Sequence, residues 1–188
     1  KDPLIFQHDE FIKEDTSLEV LARLRTAFKK EGGSVTAGNS SGLNDGAAAM
    51  LLASDKGVQE NHLTPIAKII SSAVVGVEPR IMGIGPVSSS KKALEKAGLK
   101  MEDMDIIELN EAFSAQALAC IREWGLQDDD PRINPNGGAI AIGHPLGVSG
   151  TRILQTAAIE LKKQNKKYAL VTMCIGVGQG YATIIERV

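Results

Sequence analysis

Asn110 and Cys174 each directly follow a run that reads as a strand, 105–109 and 168–173, and ligands of open α/β sheets bind outside the carboxyl ends of their strands. His144 lies in Ala141-Ile142-Gly143-His144-Pro145-Leu146-Gly147, just before a helix N-terminus, where backbone N–H groups favour a neutral imidazole or a nearby anion. An amide, an imidazole and a thiol that converge can supply a hydrogen-bond donor and two acid/base groups. The small residues of Cys174-Ile175-Gly176 let a substrate approach and offer the Gly176 N–H to a developing oxyanion. Cys120 reads differently, as plain packing, because it shares an apolar helix face with Phe113, Ala117, Ile121 and Trp124. His8 and His62 lie in polar surroundings and read as solvent-exposed side chains.

Several other chemistries are excluded. Gly176-Val177-Gly178-Gln179-Gly180 is not G-x-G-x-x-G and precedes a strand rather than a helix, and no G-x-x-x-x-G-K-[ST] occurs. Gly83 and Gly85 read as tight turns. The 188 residues carry 21 Lys plus Arg against 23 Asp plus Glu, interspersed, for a net charge of -2, so there is no basic footprint for nucleic acid or an anionic membrane. No stretch approaches the ~20 apolar residues of a membrane-spanning helix. Two cysteines make no disulfide framework, and three scattered histidines suggest no metal site. A reducing compartment is expected. Lys1-Asp2-Pro3 has neither an initiator Met nor a targeting pattern behind it, which predicts a piece of a longer protein.

The elements that must position these residues alternate. Thr16-Ser17-Leu18-Glu19 is a capping-box pattern that predicts a helix from about Ser17 to Lys30, ended by Gly32-Gly33. A loop of small residues follows to Gly46, and the apolar run Ala47 to Ala53 has the length of a strand buried on both faces. Polar residues from Ser54 to Thr64 mark a boundary or a short exposed helix. Beyond it the patterns predict strands at Ile66 to Val77 and Asp105 to Leu109, helices at Ser88 to Ala97 and Glu111 to Trp124, and a helix after the Gly-rich tract Asn134 to Gly150. Strands at Tyr168 to Met173 and Tyr181 to Glu186 close the chain, and the alternation implies a layered α/β fold.

Asn110-Glu111-Ala112-Phe113, Asn136-Gly137-Gly138-Ala139-Ile140-Ala141-Ile142-Gly143-His144-Pro145 and Cys174-Ile175-Gly176-Val177-Gly178 together resemble the three C-terminal signatures of the thiolase family. Val35 to Gly46 resembles the stretch that ends the N-terminal half of thiolases, so the resemblance covers nearly the whole chain. It implies an α/β/α thiolase-like fold, with residues 1–55 as the end of the loop region and last strand of the N-terminal domain, and residues 65–188 as the C-terminal domain. It also implies acyl exchange between a 3-ketoacyl-CoA, first of all acetoacetyl-CoA, and coenzyme A, run as thiolysis or as Claisen condensation within fatty acid metabolism. Coenzyme A is then a substrate, with no bound cofactor.

Thiolase chemistry uses two cysteines. The resemblance makes Cys174 the acid/base at the acetyl-CoA methyl carbon, while the nucleophile belongs to an N-terminal segment that this sequence does not contain. By the same matching, His144 activates that nucleophile and lends an N–H to the hole around the thioester oxygen, Asn110 holds the water completing that hole, and the Gly176 N–H serves a second hole. Ser41 and Ala37 fall where relatives contact the pantetheine arm, Phe28 falls where an aromatic lines its tunnel, and Phe113 is grouped with them on the substrate side. Lys13 sits near the nucleotide part of coenzyme A, where Lys keeps the charge but not the planar fork of an Arg. The full-length protein is expected to be a cytoplasmic homodimer or homotetramer, and this chain alone is expected not to turn over. Open alternatives are a degradative 3-ketoacyl-CoA or 3-oxoadipyl-CoA thiolase, and a non-catalytic module for coenzyme A binding or dimerisation.

Overall fold

The structure, a computed structural model, describes residue 3, residues 5–9 and residues 11–188; Lys1 and Asp2 of the opening tripeptide lie outside the described residues. In chain order its elements are α1 (Leu18–Ala22), α2 (Asp55–Glu60), β1 (Ala67–Gly76), α3 (Gly85–Ala97), β2 (Ile106–Leu109), α4 (Ser114–Glu123), α5 (Ala139–Ile142), α6 (Leu146–Gln164), β3 (Tyr168–Ile175) and β4 (Gln179–Arg187).

The strands form one sheet in the order β1-β4-β3-β2. β4 pairs antiparallel with both β1 and β3, whereas β2 and β3 run parallel, the α4-to-α6 segment serving as the crossover that a parallel pair requires. Burial explains the near-continuous apolar strands. Ile107, Leu170 and Ile184 pack with Ala93 and Leu94 of α3, while their neighbours Ile106, Ala169, Val171 and Ile185 pack with Ile153, Ala157 and Leu161 of α6. Successive strand residues point to opposite faces, so a sheet covered on both sides needs apolar residues at both parities. α4 extends the α3 side by burying Ala117, Cys120 and Ile121 against Leu109. The layered α/β/α architecture expected from the sequence is the one observed.

Local chemistry sets the ends. α3 stops at Gly98, which takes the left-handed conformation at φ +66, and α6 stops at Asn165 with φ 55. The polar segment read as a boundary or short helix contains α2, capped by the Ser54 hydroxyl accepting from the Gly57 N–H.

Three expectations are corrected. The helix predicted over 17–30 runs only from Leu18 to Ala22, because none of its residues is buried and a helix this short gains too little without packing. Ala47 to Ala53 is not a strand: the segment is unpaired and exposed, Leu51 at 75% and Leu52 at 68%, since a strand exists only through hydrogen bonds to a neighbour. Gly85 is no tight turn. It opens α3 with helical angles, and a side chain there would run into the Gln179 carbonyl at 2.6 Å, while one on Gly180 would strike the Gly85 carbonyl in return. Likewise Gly83 lies inside a 3₁₀ segment, against Gln116. These glycines let the segment before α3 seat directly on the hairpin that follows Cys174.

Candidate active site

The parallel pairing of β2 with β3 carries Leu109 beside Thr172, and the Asn110 N–H donates to the Thr172 carbonyl at 3.0 Å. Asn110 and Cys174 therefore come to the same end of the sheet. Cys174 is not beyond its strand, as the sequence suggested, but its penultimate residue, paired with Gly180 across a tight hairpin. The strand continues because only Gly176, Val177 and Gly178 are needed to turn it, with Val177 at φ 68 and Gly178 at φ 93.

His144 is buried, and its ring is held at both nitrogens. Nε2 lies 3.4 Å from Asn110 Nδ2, and Nδ1 lies 2.6 Å from the Ser149 Oγ. The Ser149 hydroxyl spends its hydrogen on the Pro145 carbonyl at 3.2 Å, the back-bond a serine makes in the first turn of a helix. Its oxygen must then accept from Nδ1–H, which leaves the lone pair on Nε2, facing the Asn110 amide. Burial, together with the nearby Arg152 charge, lowers the His144 pKa and favours the neutral ring. The backbone is pinned as well: the His144 N–H donates to the Gly42 carbonyl at 2.9 Å.

Both thiols are buried, but their surroundings differ. Cys120 is enclosed by α4, accepting from Gln116 Nε2 at 3.6 Å and donating to the Gly83 carbonyl at 3.5 Å, and burial pushes its pKa up to about 12. It is an inert core thiol, as the sequence reading expected. Burial also raises the pKa of Cys174, so its proton stays on sulfur at neutral pH. Gly176 is exposed two residues further, with nothing within 4 Å of where a side chain would start.

The N-terminal segment reaches this end of the sheet. Ser41 donates to the Ala112 carbonyl from its N–H at 3.1 Å and its hydroxyl at 3.3 Å, and Ser40 bridges to Phe113. The Phe28 ring meets the Phe113 ring edge-on, with centroids 5.5 Å apart. Ala37 opens a short 3₁₀ turn capped by Thr36. Lys13 lies further out, on the exposed stretch before α1, where its carbonyl accepts from the Thr16 N–H at 3.1 Å. His8 and His62 are exposed.

Sequence reasoning assigned no role to three residues that hold the site together. Besides Ser149, Asn134 donates to the Leu109 carbonyl and accepts from the Leu109 N–H, both at 2.9 Å, and donates at 2.8 Å to Glu111. Glu111 in turn accepts from the Ile140 N–H at 3.1 Å. The strand end that carries Asn110 is thereby tied to the loop that carries His144. One signal was available: Glu111 sits inside a quoted motif, directly beside Asn110. A groove of about 750 Å³ lies along α4 and the 128–141 segment and is not lined by Asn110, His144 or Cys174. Among the described residues no cluster of His, Cys, Asp and Glu could hold a metal ion, and no helix is long and apolar enough to cross a membrane.

Comparison with known proteins gives this geometry a family. The thiolase C-terminal domain model matches residues 63–187, and the thiolase N-terminal domain model matches residues 1–56. The β-ketoadipyl-CoA thiolase of Acinetobacter baylyi is 59% identical over 187 residues, covering 100% of this chain and 46% of that protein. The acetyl-CoA acetyltransferase of Chromobacterium violaceum is 54% identical over 186 residues, 99% of this chain and 47% of that protein. Human mitochondrial 3-ketoacyl-CoA thiolase, crystallised in complex with CoA, superposes with a TM-score of 0.90 at 49% identity, over 97% of this chain and 46% of that one. The chain thus spans about half the length of the curated relatives it matches. With its three C-terminal signatures gathered at one end of the sheet and these matches along nearly its whole length, the chain belongs to the thiolase family.

Proposed function

We propose that this chain supplies the C-terminal catalytic groups of a thiolase that exchanges acyl groups between a 3-ketoacyl-CoA and coenzyme A through a cysteine acyl-enzyme. The observation that carries the reading is the buried His144, with Nδ1 committed to Ser149 and Nε2 turned to Asn110. A neutral Nε2 takes the proton of a nucleophilic thiol, supplied from outside this chain, and the thiolate adds to the C3 carbonyl of the 3-ketoacyl-CoA. When the C2–C3 bond breaks, the electron pair moves onto the acetyl-CoA unit, whose enolate oxygen is met by the new Nε2–H and by a water held by Asn110. The Cys174 thiol protonates the methyl carbon. The resulting Cys174 thiolate then takes the proton of coenzyme A, whose sulfur attacks the acyl-enzyme, releases the shortened acyl-CoA and frees the nucleophile as a thiolate, which takes its proton back from His144 Nε2. The Gly176 N–H is assigned to the oxyanion formed on the acyl carbonyl; each such donor is worth ~3 kcal/mol of barrier.

The raised pKa of Cys174 suits this sequence, because a proton donor must hold its proton until the carbanion arrives. Ser41, Ala37, Phe28 and Phe113 are assigned to the pantetheine arm and Lys13 to the nucleotide end. Residues 1–55 and 65–188 are assigned to the N-terminal and C-terminal domains of the full-length enzyme, which we place in the cytoplasm as a homodimer or homotetramer, a compartment compatible with two free thiols. For the acyl chain, the 59% identity to a β-ketoadipyl-CoA thiolase favours 3-oxoadipyl-CoA over the acetoacetyl-CoA first expected. Thiolysis of both substrates, followed as substrate loss on adding coenzyme A, tests the reading in the full-length protein and in its Cys174→Ala variant. Turnover of either substrate that disappears with Cys174→Ala is expected. Undiminished turnover in the variant would remove Cys174 from the mechanism.

A further inference from the structure

Gln116 is an amide among the buried residues of α4, beside Ala117, Cys120 and Ile121, and only 8% of it is exposed. An apolar side chain would pack there without the cost of desolvating a polar one. Its contacts account for the amide. The Ala112 N–H can only donate, so the atom it meets at 3.2 Å is Oε1, and Nε2 faces Cys120 Sγ at 3.6 Å, one turn further along α4. The Cys120 hydrogen then goes to the Gly83 carbonyl at 3.5 Å. One directional chain of hydrogen bonds thus runs from the loop after β2, through a buried amide and a buried thiol, to the 3₁₀ segment at 79–84. Gly83 is bare where it meets this chain, since a Cβ would stand 2.7 Å from Gln116 Cγ.

The two ends of the chain are two sides of the site. Ala112 fixes the turn of Asn110: its N–H also reaches the Asn110 carbonyl at 3.2 Å, and its own carbonyl accepts from Ser41. At the other end, Gly83 is two residues from Gly85, which lies against Gly180, the residue paired with Cys174. The β2–β3 ladder stops at Leu109 and Thr172, short of both Ala112 and Cys174, so their spacing past the sheet end needs another tie. We infer that Gln116 is a positioning residue: by joining the Asn110 turn to the segment that seats the Cys174 hairpin, it sets the separation between the Asn110 side of the site and the Cys174 thiol. Cys120, inert as a thiol, is the second link. Bonds that end on sulfur are weak, but a buried donor or acceptor left without a partner is costly, so the chain acts by fixing orientation.

The inference rests on the roles proposed for Asn110 and Cys174, yet part of its test needs no turnover. In the full-length protein, Gln116→Leu is of similar size and removes both bonds. Amide hydrogen exchange, read by mass spectrometry, should quicken in 110–113 and in the 174–180 hairpin together, with β1 unchanged. In thiolysis kcat should fall about tenfold or more with KM nearly unchanged. The solvent deuterium isotope effect on kcat should rise, because a displaced Cys174 makes protonation of the methyl carbon the slow step. Cys120→Ala should move all three readouts the same way by less, and Cys120→Ser, whose hydroxyl accepts and donates, should return them toward wild type. Exchange that quickens at 110–113 alone, or across the whole sheet, would overturn the inference. So would an unmoved isotope effect in an enzyme slowed by Gln116→Leu, or Cys120→Ser behaving as Cys120→Ala does. If Gln116→Leu does not fold, the two Cys120 variants decide by the same signs. A wild-type protein without thiolysis, whose two segments still loosen together in the variant, would reject the proposed function and leave the tie between them standing.

Discussion

Every buried apolar side chain among the described residues lies between Ala73 and Ile185, whereas before Ile66 Leu18, Phe28, Leu43, Leu51 and Leu52 stand at least two-thirds exposed. The two regions do not differ in their taste for apolar residues, since Ala47 to Ala53 is as apolar as β3. They differ in partners. β3 has a strand on each side and a helix on each face, while 47–53 has neither. The lesson is that hydrophobic pattern states a demand for burial, and only a neighbouring element meets it. The first region meets the second at Ser41, Gly42 and Phe28, against the loops that follow β2 and precede α6.

The sharpest way to break this contrast is to remove from the ordered region a side chain to which we assign a proton transfer. His144→Ala or Cys174→Ala in the full-length enzyme should lower kcat about 10³-fold with the fold intact, checked by thiolysis rates beside circular dichroism. Next in size, Leu170→Ala should cost about 2–5 kcal/mol in urea denaturation, because Leu170 is fully buried between the sheet and α3. A loss under about 1 kcal/mol would mean that this core is no better packed than the N-terminal stretch.

A third prediction concerns pH. The Glu108 carboxyl is pushed from 4.5 up to about 7 by burial, so the folded state holds a proton that the unfolded chain releases. The associated stability is complete below pH 4.5, declines as pH rises and is gone above about 7. It is on the order of 3 kcal/mol, and Glu108→Gln should flatten that part of the pH profile in denaturant titrations. The smallest effect belongs to the exposed region. Leu51→Ser should change unfolding free energy by less than about 0.5 kcal/mol. It should also reduce self-association in sedimentation velocity, since it removes part of an exposed apolar stretch.

Much of the ordered region was legible in the sequence. β1, β2, α3 and α4 begin and end within a few residues of the expected positions, because continuous apolar runs and Gly98 are local signals. Cys120 read correctly as packing. Asn110 and His144, singled out for their types and places, are in contact. The N-terminal helix and the 47–53 strand were overread, since a capping box and an apolar run are necessary for such elements but do not supply their packing.

The sequence by itself determined which segments want to be strands or helices, which family signatures the chain carries, and that an amide and a thiol sit near strand ends and an imidazole before a helix. Those properties depend on neighbours along the chain. Tertiary structure alone decided that Ser149 sets the His144 tautomer, that Asn134 and Glu111 lock two motifs together, and that Gly85 and Gly180 must both be bare. Each of these depends on a distance between residues far apart in sequence or across a helix turn, and such distances come into being only when the sheet pairs and α6 docks on it.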